Sequence, residues 1–493
     1  MIDRRKTRLL AFLTTRDGAH VVEPWRRPRW SETMVKVRAY WITASLGIVL
    51  GLGPVVARAQ TQPASSRTSE FSTPPGLRTQ VDFWKSIFAT YSTQQVVIHD
   101  SLHLDVVYAV LDFRPLAAAG MSDVEIDQIK HRTIDSELAR IRGILTRLHQ
   151  LGPHPQGLSA EEQHVFTLFR RVKGSQRFLD AAAPDRLRTQ SGLRERFARG
   201  IEIGARYWPE IERIFREEGV PRELTRLPLV ESCFNVRAYS KAGAAGVWQF
   251  MPATGRRFMR VDHVVDERRD PIIAARAAAR YLRADYEALG AWPLAITAYN
   301  HGRGGIARAV STVGSTDIVD IVQQYNGPAF KFASRNFYAE FLAAVDVERQ
   351  SARYFGDLNY DRPVTATTVR VPDYVKLNTL ARCAGTSVDT LASLNPALMS
   401  EVVDGKLRVP RGYSLRLPAG QESHFHRQYA ALSTYEKAAG QDRTYVVHRV
   451  RRGQTLVAIA RRYGTTVQAI RKRNNLKGRS TIRAGQELRI PRG

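Results

Sequence analysis

The sequence predicts a multidomain, mainly α-helical protein, on three observations. A chain of 493 residues is too long for one ordinary hydrophobic core. Apolar residues recur at helical spacing through most of 126–353. Past Asp357 the texture changes to short strand–helix alternation, and that pattern occurs twice. The 43% hydrophobic and 25% charged residues are ordinary globular usage, which excludes a wholly disordered chain and a polytopic membrane protein.

Residues 1–59 read as a leader. Tyr40 to Val56 are apolar, Lys36 and Arg38 supply a basic flank, and Ala57-Arg58-Ala59 is a small-x-small cleavage signature. Read from Met34, this is a signal peptide at 34–59, with Gln60 as the mature start. Export from a bacterium to the periplasm or cell envelope is expected. Membrane association through an uncleaved leader is the alternative, although the apolar run is short for a span and contains Pro54. Residues 60–80 read as a disordered linker, because 60–76 are rich in Ser, Thr, Pro and Gln.

Next comes a mainly helical, mixed α/β support region at 81–191. Phe83, Trp84, Ile87, Phe88 and Tyr91 have helical spacing, Val96–Ile98 and Val106–Tyr108 look like short strands, and Ile134, Leu138, Ile141, Leu145 and Leu148 form one helical stripe. From 192 to 355 helices dominate. Pro221 and Pro271 suit the first turns of two of them, and Gly-rich turns lie at 243–246 and 302–305. Residues 443–493 read strand, helix, helix, strand. Residues 356–420 are a degraded copy, and 421–442 are expected to link the two.

Formal net charge is +27, of which residues 1–59 contribute 11 Lys+Arg against 4 Asp+Glu. Such a surplus favours polyanions. No basic region with heptads, zinc-finger spacing or RRM-type aromatic motif is present, so nucleic acid is not an expected partner. Cys233 and Cys383 fall in different predicted domains, and free thiols or a bridge are both open. No Cys/His cluster has zinc spacing, and neither a metal nor a cofactor is expected.

One carboxylate stands out. Leu227-Pro-Leu-Val-Glu-Ser-Cys-Phe234 places Glu231 at the end of an apolar helix, between Leu229, Val230 and Phe234. Burial there would raise its pKa and hold a proton near neutral pH, which a glycosidase acid needs. By itself this pattern is more commonly a helix-end Glu that caps the helix or pairs with an Arg. The order of further segments adds to it: Gly246-Val-Trp-Gln-Phe-Met-Pro252, Ala298-Tyr-Asn-His-Gly302, then an aromatic helix through Asn336-Phe-Tyr338. Together, over 192–353, these resemble the lytic transglycosylase family with its lysozyme-like catalytic domain, nearest its membrane-bound D type. Tyr445-Val-Val-His448, Gly453-Gln-Thr-Leu456, Ile459-Ala460, Asn474-Asn-Leu476, Ile482 and Gly485-Gln486 resemble a LysM module.

The resemblance implies a catalytic acid/base at Glu231, with substrate contacts from Ser232, Gly246, Gln249, Tyr299, Asn300 and Tyr338. Tyr299 would hold the Glu231 carboxyl while shielding it from water. Gln249 and Asn300 would bond sugar hydroxyls or N-acetyl groups. Trp248 stands where the family often has Met and would keep an apolar wall of different shape. The family's last cleft Tyr aligns with Phe337, and Tyr338, the neighbour that carries a hydroxyl, is favoured for the role. The LysM resemblance implies glycan contacts from Gly453, Gln454, Thr455, Leu456, Asn474, Leu476 and Ile482. The earlier copy lacks the Gly-x-Thr-Leu entry.

The implied reaction cleaves the β-1,4 bond of peptidoglycan between MurNAc and GlcNAc without water and leaves 1,6-anhydro-MurNAc ends, with Glu231 as acid, then base. Peptidoglycan strands are the implied partner. Three rivals stay open at this point: a hydrolytic muramidase, marked by a second carboxylate, which no motif supplies; a wall-binding scaffold without catalysis; and, more distantly, a DNA-binding protein.

Overall fold

The computed structural model describes residues 71–442, 445–474, 476 and 481–491. The expected leader, its cleavage site and the first part of the expected linker lie outside the described residues. No helix among the described residues is long and apolar enough to cross a membrane. The chain divides into two compact units. One runs up to Met251 and resumes over Pro271–Pro363. The other joins Pro252–Asp270 to the chain from Val364 onward.

In the first unit β1 (Gln95–Asp100) is the middle strand of an antiparallel sheet, between β2 (Val107–Asp112) and β3 (Leu187–Ser191). Helix Asp123–Leu151 starts at a capping box formed by Ser122 and Glu125. Its stripe of Ile141, Leu145 and Leu148 shares a core with Val96, Ile98, Tyr108 and Phe169. Helix Arg78–Ala89 packs on the long helix Phe332–Arg349, and Phe88 stacks on Phe197 with ring centroids 4.6 Å apart.

Two expectations are corrected here. The linker to residue 80 does not extend past 70, because Phe71 and Leu77 are buried and Phe71 packs edge-on against Phe341 at 5.4 Å. The support region at 81–191 is also not a separate body. Its first helix buries Phe83, Trp84 and Ile87, and it packs on the same helix that carries the expected cleft aromatics. The helical spacing of Phe83, Trp84, Ile87 and Phe88 predicts an apolar face but does not name the helix that covers it.

The second unit contains two βααβ modules. In the first, β4 (Ala366–Arg370) pairs with β5 (Ser414–Pro418), and helices Leu377–Cys383 and Val388–Leu394 lie between them in sequence. In the second, β6 (Tyr445–Arg449) pairs with β7 (Glu487–Pro491) around helices Leu456–Arg462 and Val467–Arg473. The expected linker at 421–442 is corrected as well. Helix Glu422–Ala430 buries Phe425 and Tyr429 in the first module's core, and Ala438 pairs with Tyr374.

Candidate active site

Glu231 belongs to a helix of only six residues, Leu227–Ser232, set up from both ends. Before it, the 3-10 turn Arg222–Arg226 brings Arg226 into the interior. Its guanidinium pairs with Glu212 at 2.5 Å and Glu348 at 3.2 Å and lies 4.4 Å over the Trp208 ring. Removing one partner would strand a buried charge, so the network fixes where the helix begins. After it, Cys233 and Phe234 both adopt left-handed backbone, φ 47° and 53°. Their N–H groups return to Leu229 O and Pro228 O at 3.1 and 2.9 Å and close the helix end. Gly200 permits this close passage, since a Cβ there would meet Cys233 O at 2.5 Å.

The Gly246–Gln249 turn is bound to that helix end. Ser232 Oγ lies 3.0 Å from Val247 O and 3.3 Å from Pro228 O. Gly246 has φ 72° and donates its N–H to Ala238 O, while Gln249 is a third left-handed residue at φ 48°. Left-handed non-glycine backbone costs about 1–2 kcal/mol per residue, and three such residues lie in the helix end that follows Glu231 and the turn bound to it. Trp248 inserts its ring into the core, fully buried, stacked on Phe215 at 5.5 Å and donating Nε1–H to Pro271 O at 3.1 Å. The expected cleft wall at this position is therefore a core residue. Trp248→Ala is expected to cost about 3–5 kcal/mol of stability, read as a lower denaturant midpoint. An unchanged midpoint would contradict this packing.

Tyr299, on helix Trp292–His301, donates its O–H to Trp248 O at 2.8 Å. That proton is committed to the turn and not to the Glu231 carboxyl, which corrects one expected contact. Its ring still shields the site, 5.6 Å from Tyr281 and 5.9 Å from Phe250. Burial, and next the charge of Glu231, hold the Tyr299 phenol well above its ordinary range. Asn300 accepts a bond from Ser334 Oγ at 3.0 Å, and Ser334 also meets His301 Nδ1 at 3.0 Å. The Asn300 amide N–H groups have no protein acceptor among the described residues and can face a ligand. Gln249 instead folds its amide onto Gly246 O at 2.7 Å, a turn cap that leaves its side-chain oxygen available. Phe337 and Tyr338 are both buried, and Tyr338 stacks on Phe341 at 6.3 Å, so neither presents an open face.

The Glu231 carboxyl keeps partial solvent access on a helix whose Leu227, Pro228 and Leu229 are buried. Burial pushes its pKa up from the ordinary 4.5 to about 8. A second carboxyl shares this environment. Glu340, half-buried on helix Phe332–Arg349, is raised to about 8, first by burial and then by the charge of Glu231. Sequence motifs did not point to it, but a signal existed: Glu340 is the lone charge between Phe337 and Val345. An open pocket of about 690 Å3 bordered by Glu212, Arg216, Arg222, Arg283 and Trp292 does not include Glu231. Cys233 and Cys383 are both free thiols, and burial raises Cys233 to about 11.

In the second module several implied glycan contacts have structural duties. Gly453 turns at φ 82°, Thr455 caps helix Leu456–Arg462, and Leu456 is in the core. Gln454 Oε1 accepts from Arg451 N–H and sits 2.8 Å from His448 Nε2. Asn474 joins Ile470 O and Arg489 O at 2.8 Å. Leu476 and Ile482 are partly buried against the same core and keep some apolar surface.

Comparison with known families matches this layout. The transglycosylase SLT domain model matches residues 210–322, the lytic transglycosylase MltD LysM-like domain model matches 365–434, and the LysM domain model matches 448–491. Membrane-bound lytic murein transglycosylase D of Escherichia coli strain K12 is 30% identical over 298 residues, 58% of this chain and 63% of that protein. A putative tributyltin chloride resistance protein of Alteromonas sp. strain M-1 is 37% identical over 99 residues, 20% of this chain and 48% of that protein. The matched stretch therefore spans less than two thirds of either relative. The 70 kDa soluble lytic transglycosylase of Escherichia coli is 21% identical, with 32% of this chain and 27% of that chain covered at a TM-score of 0.25, too partial to define a fold. By its three domain matches, the chain carries a transglycosylase SLT domain followed by an MltD-type LysM-like domain and a LysM domain.

Proposed function

We propose that this protein is an exported peptidoglycan lytic transglycosylase of the bacterial envelope, with Glu231 as acid and then base. The observation that carries the reading is the Glu231 carboxyl, raised to about 8 at a strained helix end inside the matched SLT domain. Protonated near neutral pH, it gives its proton to the glycosidic oxygen between MurNAc and GlcNAc as the bond to the anomeric carbon breaks. The resulting carboxylate takes the proton of the muramyl C6 hydroxyl, whose oxygen bonds to the anomeric carbon. The product is a 1,6-anhydro end, no water is consumed, and Glu231 is protonated again. The nucleophile belongs to the substrate. Asn300 offers an amide to a sugar hydroxyl or N-acetyl group. Ser232 and Tyr299 are positioning residues that tie the helix end and the aromatic wall to the 246–249 turn.

Glu340 supports a second reading, hydrolysis by a carboxylate pair. That chemistry needs one carboxyl protonated and the other ionised. Here both are raised to about 8, so near neutral pH Glu340 is not the ionised partner. Glu340→Gln is therefore expected to retain peptidoglycan-clearing activity within about tenfold of the parent. A loss as deep as that of Glu231→Gln would favour the muramidase.

We assign wall anchoring to the LysM module, which raises the enzyme's effective concentration at its substrate. Residues 443–493 carry 14 Lys+Arg and one acidic residue, Glu487. Attraction to the acidic wall through such a charge surplus is screened by salt. Co-sedimentation with insoluble peptidoglycan is expected to weaken several-fold between about 50 and about 500 mM salt. Binding indifferent to salt would contradict this part.

A further inference from the structure

The two βααβ modules share a framework and differ in the loop before the first helix and the loop after the second, where the implied glycan contacts of the second module (Gly453 to Thr455, Leu476 and Ile482) lie. In the first, Asn395 bonds Leu391 O at 2.8 Å and Arg416 O at 2.9 Å, and accepts from Arg416 N–H at 2.9 Å. Asn474 repeats all three bonds with Ile470 and Arg489 in the second. Val371 exchanges main-chain bonds with Tyr413 and Gly412, as Val450 does with Gln486 and Gly485. Between these shared points the first module is longer. Asn395 and Arg416 stand 21 positions apart, whereas Asn474 and Arg489 stand 15 apart.

The longer loop is closed onto its surroundings. Val375 and Val409 pair as an antiparallel bridge, with N–H···O distances of 3.3 and 2.8 Å, which zips the first strand–helix loop to the helix–strand loop. Lys376 Nζ donates to Gly405 O at 2.6 Å and also pairs with Asp442. Among the described residues the second module has no bridge between its two loops.

Residues 264–270, far upstream in sequence, hold the start of the same helix–strand loop. Val265 bridges to Leu398, Asp266 N–H donates to Ala397 O at 2.8 Å, and Met399 N–H donates to Val264 O at 3.1 Å. Val264 and Val265 are buried in the same core as Leu398 and Val402. Asp270, 1% exposed, receives both ends of the Arg416 guanidinium at 2.7 and 2.9 Å. Such a bidentate buried pair has strict geometry and is strongly destabilising to break from one side. The segment is therefore a built-in anchor of the module, and it lies inside the sequence range of the SLT match.

We propose that the LysM-like module is a closed receptor for residues 264–270 of its own chain, and that glycan anchoring is left to the LysM module at 445–491 alone. A sugar held between these two loops of the first module would have to separate Val375 from Val409 and release Lys376, so backbone pairing occupies the place of those contacts. The anchoring half rests on the glycan-binding reading given above; the closed-receptor half does not.

Hydrogen exchange of the full chain, with and without the hexamer of N-acetylglucosamine, tests both halves. Peptides holding the Asp266 and Met399 amides are expected to exchange together, at least about 100-fold more slowly than unpaired loop amides. Arg416→Leu is expected to speed both by at least about tenfold in concert. The hexamer is expected to slow exchange at 450–456 and to leave 371–376 and 396–413 unchanged. Fast, independent exchange of 264–270 would overturn the closed receptor. Protection of 371–376 or 396–413 by the sugar would overturn it as well. Protection in neither module would overturn the anchoring half, and the Asp266 and Met399 amides would still decide the closed receptor.

Discussion

Glu231→Gln is expected to lower turnover on peptidoglycan by about 10²–10⁴-fold, and by more if the carboxyl serves both proton transfers. Gln matches Glu in shape, so the packing around Leu229 and Phe234 is preserved while the transferable proton is removed. The substitution should not unfold the domain, and its effect on stability has a definite sign. The folded-state pKa of Glu231 is raised from 4.5 to about 8. A raised group contributes stability that is fully present below the unfolded pKa and is lost as pH rises through the folded one. Wild type and Glu231→Gln should therefore have similar stability near pH 4. By about pH 8 the variant should be the more stable, by an amount on the order of a few kcal/mol at most, because the carboxyl retains some solvent. A variant that loses activity through unfolding would show the opposite, a lower melting temperature at every pH.

The second large effect is on the pH profile. If protonated Glu231 is the acid, kcat/KM should hold through pH 5–7 and fall above about 8, approaching tenfold per pH unit. A solvated Glu would begin to lose its proton near 4.5, and activity would already decline at pH 5. Glu340 titrates in the same window and interacts with Glu231, so the alkaline limb belongs to the pair. Initial rates measured from pH 4 to 10 on one soluble glycan substrate separate the two cases. An alkaline limb near 5 would mean that the carboxyl is solvated in the working enzyme.

Much of this layout was legible because its signals are local. Helical stripes such as Ile141, Leu145 and Leu148, and the βααβ pattern of 443–493, depend on spacing alone, and the structure forms elements there. Glu231 was legible from its apolar neighbours together with the order of the segments at 246–252 and 298–302, and Pro271 begins its helix as expected. What escaped depends on tertiary contacts. Trp248 reads as a cleft residue from its place beside Gln249, yet a bulky ring finds more burial on Phe215 than at a surface. Tyr299 reads as a partner of the carboxyl, but its hydroxyl reaches the Trp248 carbonyl. Glu340 lies 109 positions after Glu231, and only packing of the helices brings their charges into range. Asp262, Asp266, Glu267 and Asp270 read as a charged, solvated loop of the helical region. Nothing local in Val264-Val265 names the partner module whose core they enter.

The central claim is the reaction, and its products test it most directly. Purified peptidoglycan would be digested with the mature protein and with Glu231→Gln, and the released muropeptides weighed by mass spectrometry. The account predicts 1,6-anhydro-muramyl ends, one water lighter than hydrolysed ends, from the parent and not from the variant. Reducing muramyl ends would contradict it and move Glu340 into the catalytic pair. Binding to the sacculus without release of fragments by either protein would leave a scaffold and no enzyme.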